Sequence, residues 1–215
     1  MTTYTPGKLA KAVSLVAMAL TIALGPGCGG GDGGAGDGTG AVEQGPLSSA
    51  ERDGITYTRE EEKLARDTYA ALGATDPVFA NIGASEQTHM DAVGTLLARY
   101  GVEDPAAGKA AGRFESPVLQ SLYDSLVAKG SGGAVVAFEV GVEIEELDIR
   151  DIERLKQSSA HTDLDKVFDN LTRGSRNHLR TFYAKLLAAG GSYAPKYLDA
   201  ATFQGIVSSP METGP

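Results

Sequence analysis

The sequence predicts an all-α fold, a four-helix bundle with one short helix inserted in the crossover, and three observations carry that prediction. Strand signals are few between Ile55 and Ile206. Amphipathic segments of helical period fill that stretch, each bounded by glycine or proline. Four of these segments are long enough to span a bundle, and a fifth, shorter one falls between the second and third.

Residues 1–27 read as an export signal. Lys8 and Lys11 precede an uncharged apolar run from Ala12 to Leu24, which is too short for a comfortable membrane span. The run ends in Ala-Leu-Gly-Pro-Gly before Cys28, the one cysteine in the chain, which therefore has no internal disulfide partner. This junction resembles the lipobox of bacterial lipoproteins, with Pro26 at a place where that pattern has a small residue. The resemblance implies cleavage before Cys28, lipidation of its thiol and a membrane anchor, with the protein exported to the periplasm or the outer cell surface.

Residues 28–54 read as a flexible tether. Many of the chain's 28 glycines crowd here, and large apolar side chains are too few to offset the entropy of ordering the segment. The helical domain is assigned to residues 55–206, and 207–215 to a disordered tail.

Within the domain, the first helix is expected from Thr58 to Leu72, stopping at Gly73. Asp76-Pro77 opens the second, which reaches Tyr100 before Gly101, with proline at the favoured first position. Ser116-Pro117 opens the short inserted helix, which ends at Gly130. The fourth covers about 133–157 with a break near Asp148, and the fifth runs from Asp163 to Ala189, closed by Gly190-Gly191. The net charge of −9 and a pI near 4.8 exclude a phosphate-backbone binder, so no nucleic acid is expected as partner. No P-loop lysine follows the glycine run, and one cysteine cannot form a CxxC.

The chemistry-bearing residues cluster on inward stripes. In the second helix Phe79, Ile82, Val93, Leu97 and Tyr100 define an apolar face, with Glu86 and His89 in its middle. His178 has the same placement in the last helix, among Leu164, Val167, Leu171 and Phe182, whereas His161 lies in the preceding loop. A lone histidine on an apolar face is more often a hydrogen-bonded core residue. Two of them with an inward glutamate point to a metal, because a buried carboxylate and imidazole are costly unless paired or ligating. The first helix offers Glu60, Glu61 and Glu62; the spacing of Ala65, Tyr69 and Leu72 agrees with Glu62, that of Leu64 and Thr68 with Glu61. The fourth helix offers Glu143, Glu145, Glu146 and Asp148, and its apolar residues point nearly all round. For most acidic residues the solvated helix face is the default.

EEEKLARDTY, residues 60–69, is similar to the first-helix pattern of rubrerythrin-like proteins, which makes Glu62 the ligand. Together with SEQTHMDAV, IEELDI and GSRNHLRTF it resembles an uncharacterised ferritin-like family, the domain of unknown function 2202, over nearly the whole domain from Thr58 to Tyr197. That resemblance implies a ferritin-like bundle holding iron, most simply as a di-iron centre, with manganese or zinc as alternatives. It implies Glu62, Glu86, His89, Glu146 and His178 as metal ligands, with Glu145 the alternative to Glu146 because rubrerythrin-like proteins place two glutamates three apart here. The pairs Glu143–Glu146 and Glu145–Asp148 both have that spacing. Ser175 stands where such a site has a glutamate, three before His178, which leaves four readings: two metals with water in the open positions, one metal held asymmetrically, another acid such as Asp148 or Asp151 in its place, or a decayed bundle with polar remnants. Arg173, Arg176, Asp67 and Asp91 are candidates to orient the ligands or to form surface ion pairs. Tyr69 would neighbour the site.

The function implied is an oxidoreductase of ferroxidase or peroxidase type, acting on metal ions with O2 or peroxide. The alternatives are a metal-binding or storage module without turnover, and a metal-free helical domain with the histidines satisfied in a buried polar network. A homodimer is a possible assembly.

Overall fold

The computed structural model describes residues 45–214, and all their regular structure is helical. Six helices follow in order: α1 Ser49–Leu72, α2 Pro77–Arg99, α3 Pro117–Gly130, α4 Ala134–Ser158, α5 Thr162–Ala188 and α6 Ala200–Val207. The expected export signal and Cys28 lie outside the described residues.

Local chemistry accounts for the boundaries. Asp76 caps α2 by accepting the Val78 N–H at 2.9 Å, with Pro77 at the first helical position. Ser116 and Pro117 do the same for α3. The start of α1 differs from expectation, lying nine residues before Thr58. Ser48 and Glu51 form a capping box, in which the Glu51 N–H donates to Ser48 Oγ at 3.2 Å and the Ser48 N–H to Glu51 Oε2 at 2.9 Å. Leu47 is buried ahead of it. Residues 47–54, read as tether, therefore belong to the folded domain.

Three other expectations change. Helix α4 is continuous through Asp148, with no break. Asp199 accepts the Ala201 and Thr202 N–H groups and starts α6, a helix the periodicity did not show. Residues 208–214, expected to be disordered, are tied down through Glu212. Its carboxylate accepts from Arg176 Nε at 2.7 Å and from Arg180 Nη2 at 2.8 Å, and its backbone N–H donates to Asn177 Oδ1 at 2.8 Å.

The most extensive helix contacts pair α1 with α2 and α4 with α5; the pairs meet through α1 on α4 and α2 on α5, and α3 packs on α1 and α4. Gly141 lets the Phe182 ring lie against α4, since a Cβ there would come within 2.5 Å of Phe182 Cγ. Phe182 in turn packs on Phe79 and Tyr69, with centroids 5.1 and 5.0 Å apart. Two apolar clusters result. One contains Leu64, Tyr69, Phe79, Ile82, Leu179 and Phe182, the other Ile55, Val93, Leu97, Leu164, Phe168 and Leu171. Burial of each such side chain stabilises the fold by about 1.5–3 kcal/mol. Along α1, α2 and α5 the chain passes from one cluster to the other through positions 58–62, 86–89 and 172–178, where the buried residues are polar.

The crossover from α2 to α3 is fastened to α1 by acids that face outward from that polar layer. Glu60 accepts the Ser116 N–H at 2.9 Å, and Asp67 accepts the Gly112 N–H at 2.8 Å while pairing with the buried Lys63. Asp67 is thus an anchor of the crossover rather than a ligand-orienting residue. Asp91 accepts from Gln87, and Arg173 donates to Asn170, both at the exposed surface.

Candidate metal centre

The polar layer brings five side chains from four helices together. Glu62 comes from α1, Glu86 and His89 from α2, Glu145 from α4 and His178 from α5, and all are buried. Their donor atoms form two triads, Glu62–Glu86–His89 and Glu86–Glu145–His178, each with all three atoms within 4.8 Å of one another. Glu86 belongs to both. Its Oε2 stands 2.8 Å from His89 Nδ1 and its Oε1 2.8 Å from His178 Nδ1, so each carboxylate oxygen faces one histidine. The outer carboxylates complete the triads: Glu62 Oε2 is 3.2 Å from His89 Nδ1, and Glu145 Oε2 is 3.5 Å from His178 Nδ1. The two imidazoles lie with centroids 5.6 Å apart and planes inclined by 29°.

Several lone pairs in this layer have nothing to bond. Glu62 Oε1, Glu86 Oε1, His178 Nδ1 and Asp148 Oδ1 are buried without a hydrogen-bond partner. Glu86 Oε1 and His178 Nδ1 are at hydrogen-bond distance yet lack the angles of a hydrogen bond. Native interiors satisfy nearly all buried polar atoms, because each orphan costs about 1–3 kcal/mol. Acceptor atoms that converge without bonding each other suit a cation between them. A donor set of oxygens and imidazole nitrogens without sulfur fits iron, manganese or zinc.

Electrostatics agree with that arrangement. Burial opposes charge on the histidines, but Glu62 and Glu86 hold His89 well above the usual imidazole range, and Glu145 and Glu86 hold His178 up at about 10. Burial pushes Glu62 and Glu145 up to about 7, partly offset by those imidazoles. Glu86 resists its own burial because His178 and His89 flank it, and its carboxyl falls far below the ordinary value. Without a metal, protons on His89 and His178, and on Glu62 and Glu145 as they titrate, offset the charge of this buried layer.

Neighbouring residues fix the orientation of these groups. Ser85 Oγ lies 3.1 Å from His178 Nε2; in the neutral ring, donation from Nε2–H to Ser85 leaves Nδ1 as the bare nitrogen. Gly174 makes room for His89, since a Cβ there would lie 2.5 Å from its Nε2. Tyr69 donates its hydroxyl to Glu145 Oε1. Ser175 donates to Asp148 Oδ2, so the hydroxyl at the position lacking a glutamate holds an acid from the facing helix instead. Asp148 is thereby in the polar layer, whereas Asp151 pairs with Arg150.

The structure places Glu146 elsewhere. Its carboxylate accepts from Tyr193 Oη at 2.7 Å and from the N–H groups of Lys196, Tyr197 and Leu198 at 2.8–3.0 Å, fastening the segment before α6 to α4. A helix turns about 100° per residue, so only one of Glu145 and Glu146 reaches the centre. Glu143 pairs with Lys129 and Lys196. Glu61 is buried beside the cluster, pushed well above the usual carboxylate range by burial and by Asp151 and Asp148, and it joins neither triad. His161 bonds Glu51 and the Gly45 carbonyl, far along α1 from Glu62.

Ser85 and Gly174 were not foreseen. Their only sequence signal was position, one before Glu86 and four before His178, which gains meaning once the helices are seen to face each other.

Known relatives have the same frame. The model of the family described as uncharacterized protein domain DUF2202 matches residues 51–210. The chain belongs to that family. It is 43% identical over 171 residues to the uncharacterized protein MJ0754 of Methanocaldococcus jannaschii, covering 79% of this chain and 92% of the relative. The crystal structure of hypothetical protein MJ0754 is similar with a TM-score of 0.77 and 41% identity, over 80% of this chain and all of that one. The family match begins two residues into α1 and ends three residues after α6, so it spans every helix that contributes to the polar layer.

Proposed function

We propose that this member of the DUF2202 family is a ferritin-like two-metal protein in which α1, α2, α4 and α5 form a four-helix bundle and α3 is inserted in the crossover. One observation carries the reading: two buried donor triads share Glu86, and the lone pairs between them are unsatisfied. In the proposed centre Glu62 and His89 would hold one cation, Glu145 and His178 the other, and Glu86 would be available to both. Iron is the metal proposed, with manganese or zinc as alternatives, and the reaction is oxidation of ferrous iron or reduction of peroxide. When bound, iron would supply the one-electron steps and open coordination positions for O2 or peroxide.

The chain's own residues set the conditions for that chemistry. Glu62, Glu86 and Glu145 bring three negative charges into a dry layer between two apolar clusters, where attraction for cations is strong. His89 and His178 are the two members that reach solvent, with about a tenth of each side chain exposed, so small ligands would enter between α2 and α5. Tyr69 and Ser85 hold one ligand each in place.

The proposed location is outside the cytoplasm, through the export signal and lipid anchor at Cys28. Among the described residues no helix is long and apolar enough to cross a membrane.

Elemental analysis and ferrous-oxidation assays of the full chain test the reading. Bound iron near two per chain, with oxidation of Fe2+ or loss of peroxide abolished by Glu86→Ala, is the expected result. Metal with an unchanged rate in Glu86→Ala leaves a binding module, and no transition metal above trace overturns the centre.

A further inference from the structure

The two triads use the same residue types but have different surroundings. In the first, Glu62 Oε1 has no hydrogen-bond partner and Oε2 meets His89, its fellow triad member, so no hydrogen bond from outside the triad occupies either oxygen. Asp148 adds a third carboxylate on this side. Its Oδ2 is held by Ser175, its Oδ1 is buried and unpartnered, and Glu62 is the charge it feels most strongly. In the second triad, Tyr69 occupies Glu145 Oε1, leaving only Oε2, at the longer separation of 3.5 Å from His178 Nδ1. Asp148 feels the charge of Glu145 less than that of Glu62.

One feature favours the second triad, the Ser85 contact that orients His178. A neutral hydrogen bond contributes little net, whereas an unshared anionic oxygen at a dry cation site offers a much stronger charge-to-charge attraction. Glu86 makes the inequality self-reinforcing. The first cation draws on its charge, so the second meets a carboxylate already partly neutralised.

We propose that the two cation positions are unequal: the Glu62–Glu86–His89 position, with Asp148 beside it, fills first and tightly, and the Glu86–Glu145–His178 position fills second. This rests on the two-metal reading above, and its test separates the two. Co2+ is titrated into the chelator-treated full chain, followed by calorimetry and visible absorption.

The unaltered chain should show two steps at least about tenfold apart in affinity, the scale on which neighbouring residues tune metal sites. Glu62→Gln should remove the tight step and keep the weak one, Glu145→Gln should do the reverse, and Asp148→Asn should weaken the tight step alone. Each replacement is isosteric, and far-ultraviolet circular dichroism checks that the helices persist. Two equivalent sites in the unaltered chain, or loss of the tight step in Glu145→Gln, overturns the inequality while leaving a two-metal protein. No Co2+ uptake by the unaltered chain overturns the two-metal reading itself.

Discussion

Gly174 on α5 leaves a space that the His89 ring of α2 occupies, its Nε2 only 2.5 Å from where a Cβ would stand. Backbone of one helix thus touches a proposed ligand on another. Gly174→Ala should therefore oppose two effects. Alanine in a helix interior gains about 1 kcal/mol over glycine, while overpacking a close contact costs about 1–3 kcal/mol. The overlap here is with an aromatic ring whose Nδ1 is held by both Glu62 and Glu86, which leaves it little room to retreat. A net loss of about 1 kcal/mol in urea unfolding is expected, with metal affinity falling more than tenfold. Unchanged affinity would show that His89 is not a ligand.

Adjacent glutamates on α4 should separate stability from metal binding. Glu146→Gln leaves the N–H groups of Lys196, Tyr197 and Leu198 with a weaker acceptor, and should lower stability by about 2 kcal/mol with metal content unaltered. Glu145→Gln should lower metal content and leave the 193–198 segment in place. Thermal melts beside elemental analysis of both variants read the difference.

The Glu51–His161 pair predicts a pH window for stability away from the centre. His161 Nδ1 faces Glu51 Oε1 at 2.6 Å and its Nε2 faces the Gly45 carbonyl at 2.9 Å, so both nitrogens meet acceptors and the ring is favoured as imidazolium. Hydrogen bonds to Glu51 and to the Gly45 carbonyl raise it above the ordinary 6.5, and Asp163 adds to this. Glu51 is lowered from 4.5 to about 2; partial burial opposes the shift, but bonds from the Ala160 N–H, His161 and Ser48 outweigh it. The Glu51 contribution is present above pH 4.5 and lost as pH falls toward 2. The His161 contribution is present below pH 6.5 and lost as pH rises through its raised value. His161→Ala should thus cost about 2 kcal/mol at pH 6 and distinctly less at pH 9.5 by urea unfolding. An equal cost at both values would mean that packing against Tyr100, not charge, accounts for it.

The long helices were legible because their apolar stripes and their Asp-Pro, Ser-Pro and glycine boundaries are local signals. The start of α1 was legible too, in Ser48 followed by Glu51, but the neighbouring glycine run masked it. Glu86, His89 and His178 followed from stripe geometry alone. The resemblance puts Glu146 ahead of Glu145, and the structure reverses them: α4 is apolar nearly all round, and the choice is made by Tyr69 on one side and Tyr193 on the other, both distant in sequence. The docking of the last residues depends on Glu212 meeting Arg176 and Arg180, a pairing of charges that no periodicity encodes.

Every residue of the two triads lies at least nine positions from either end of its helix. Fraying of a terminal turn, or a change in length of a connection, therefore leaves the spacing between donors untouched, because that spacing is set by how closely the helix axes approach at mid-height. Lineages of this family would then be free to lengthen, shorten or redecorate their loops, while exchange of a single small residue at a helix crossing would be felt at once. Amide protons around Glu62, Glu86, Glu145 and His178 should accordingly be among the last to exchange with solvent.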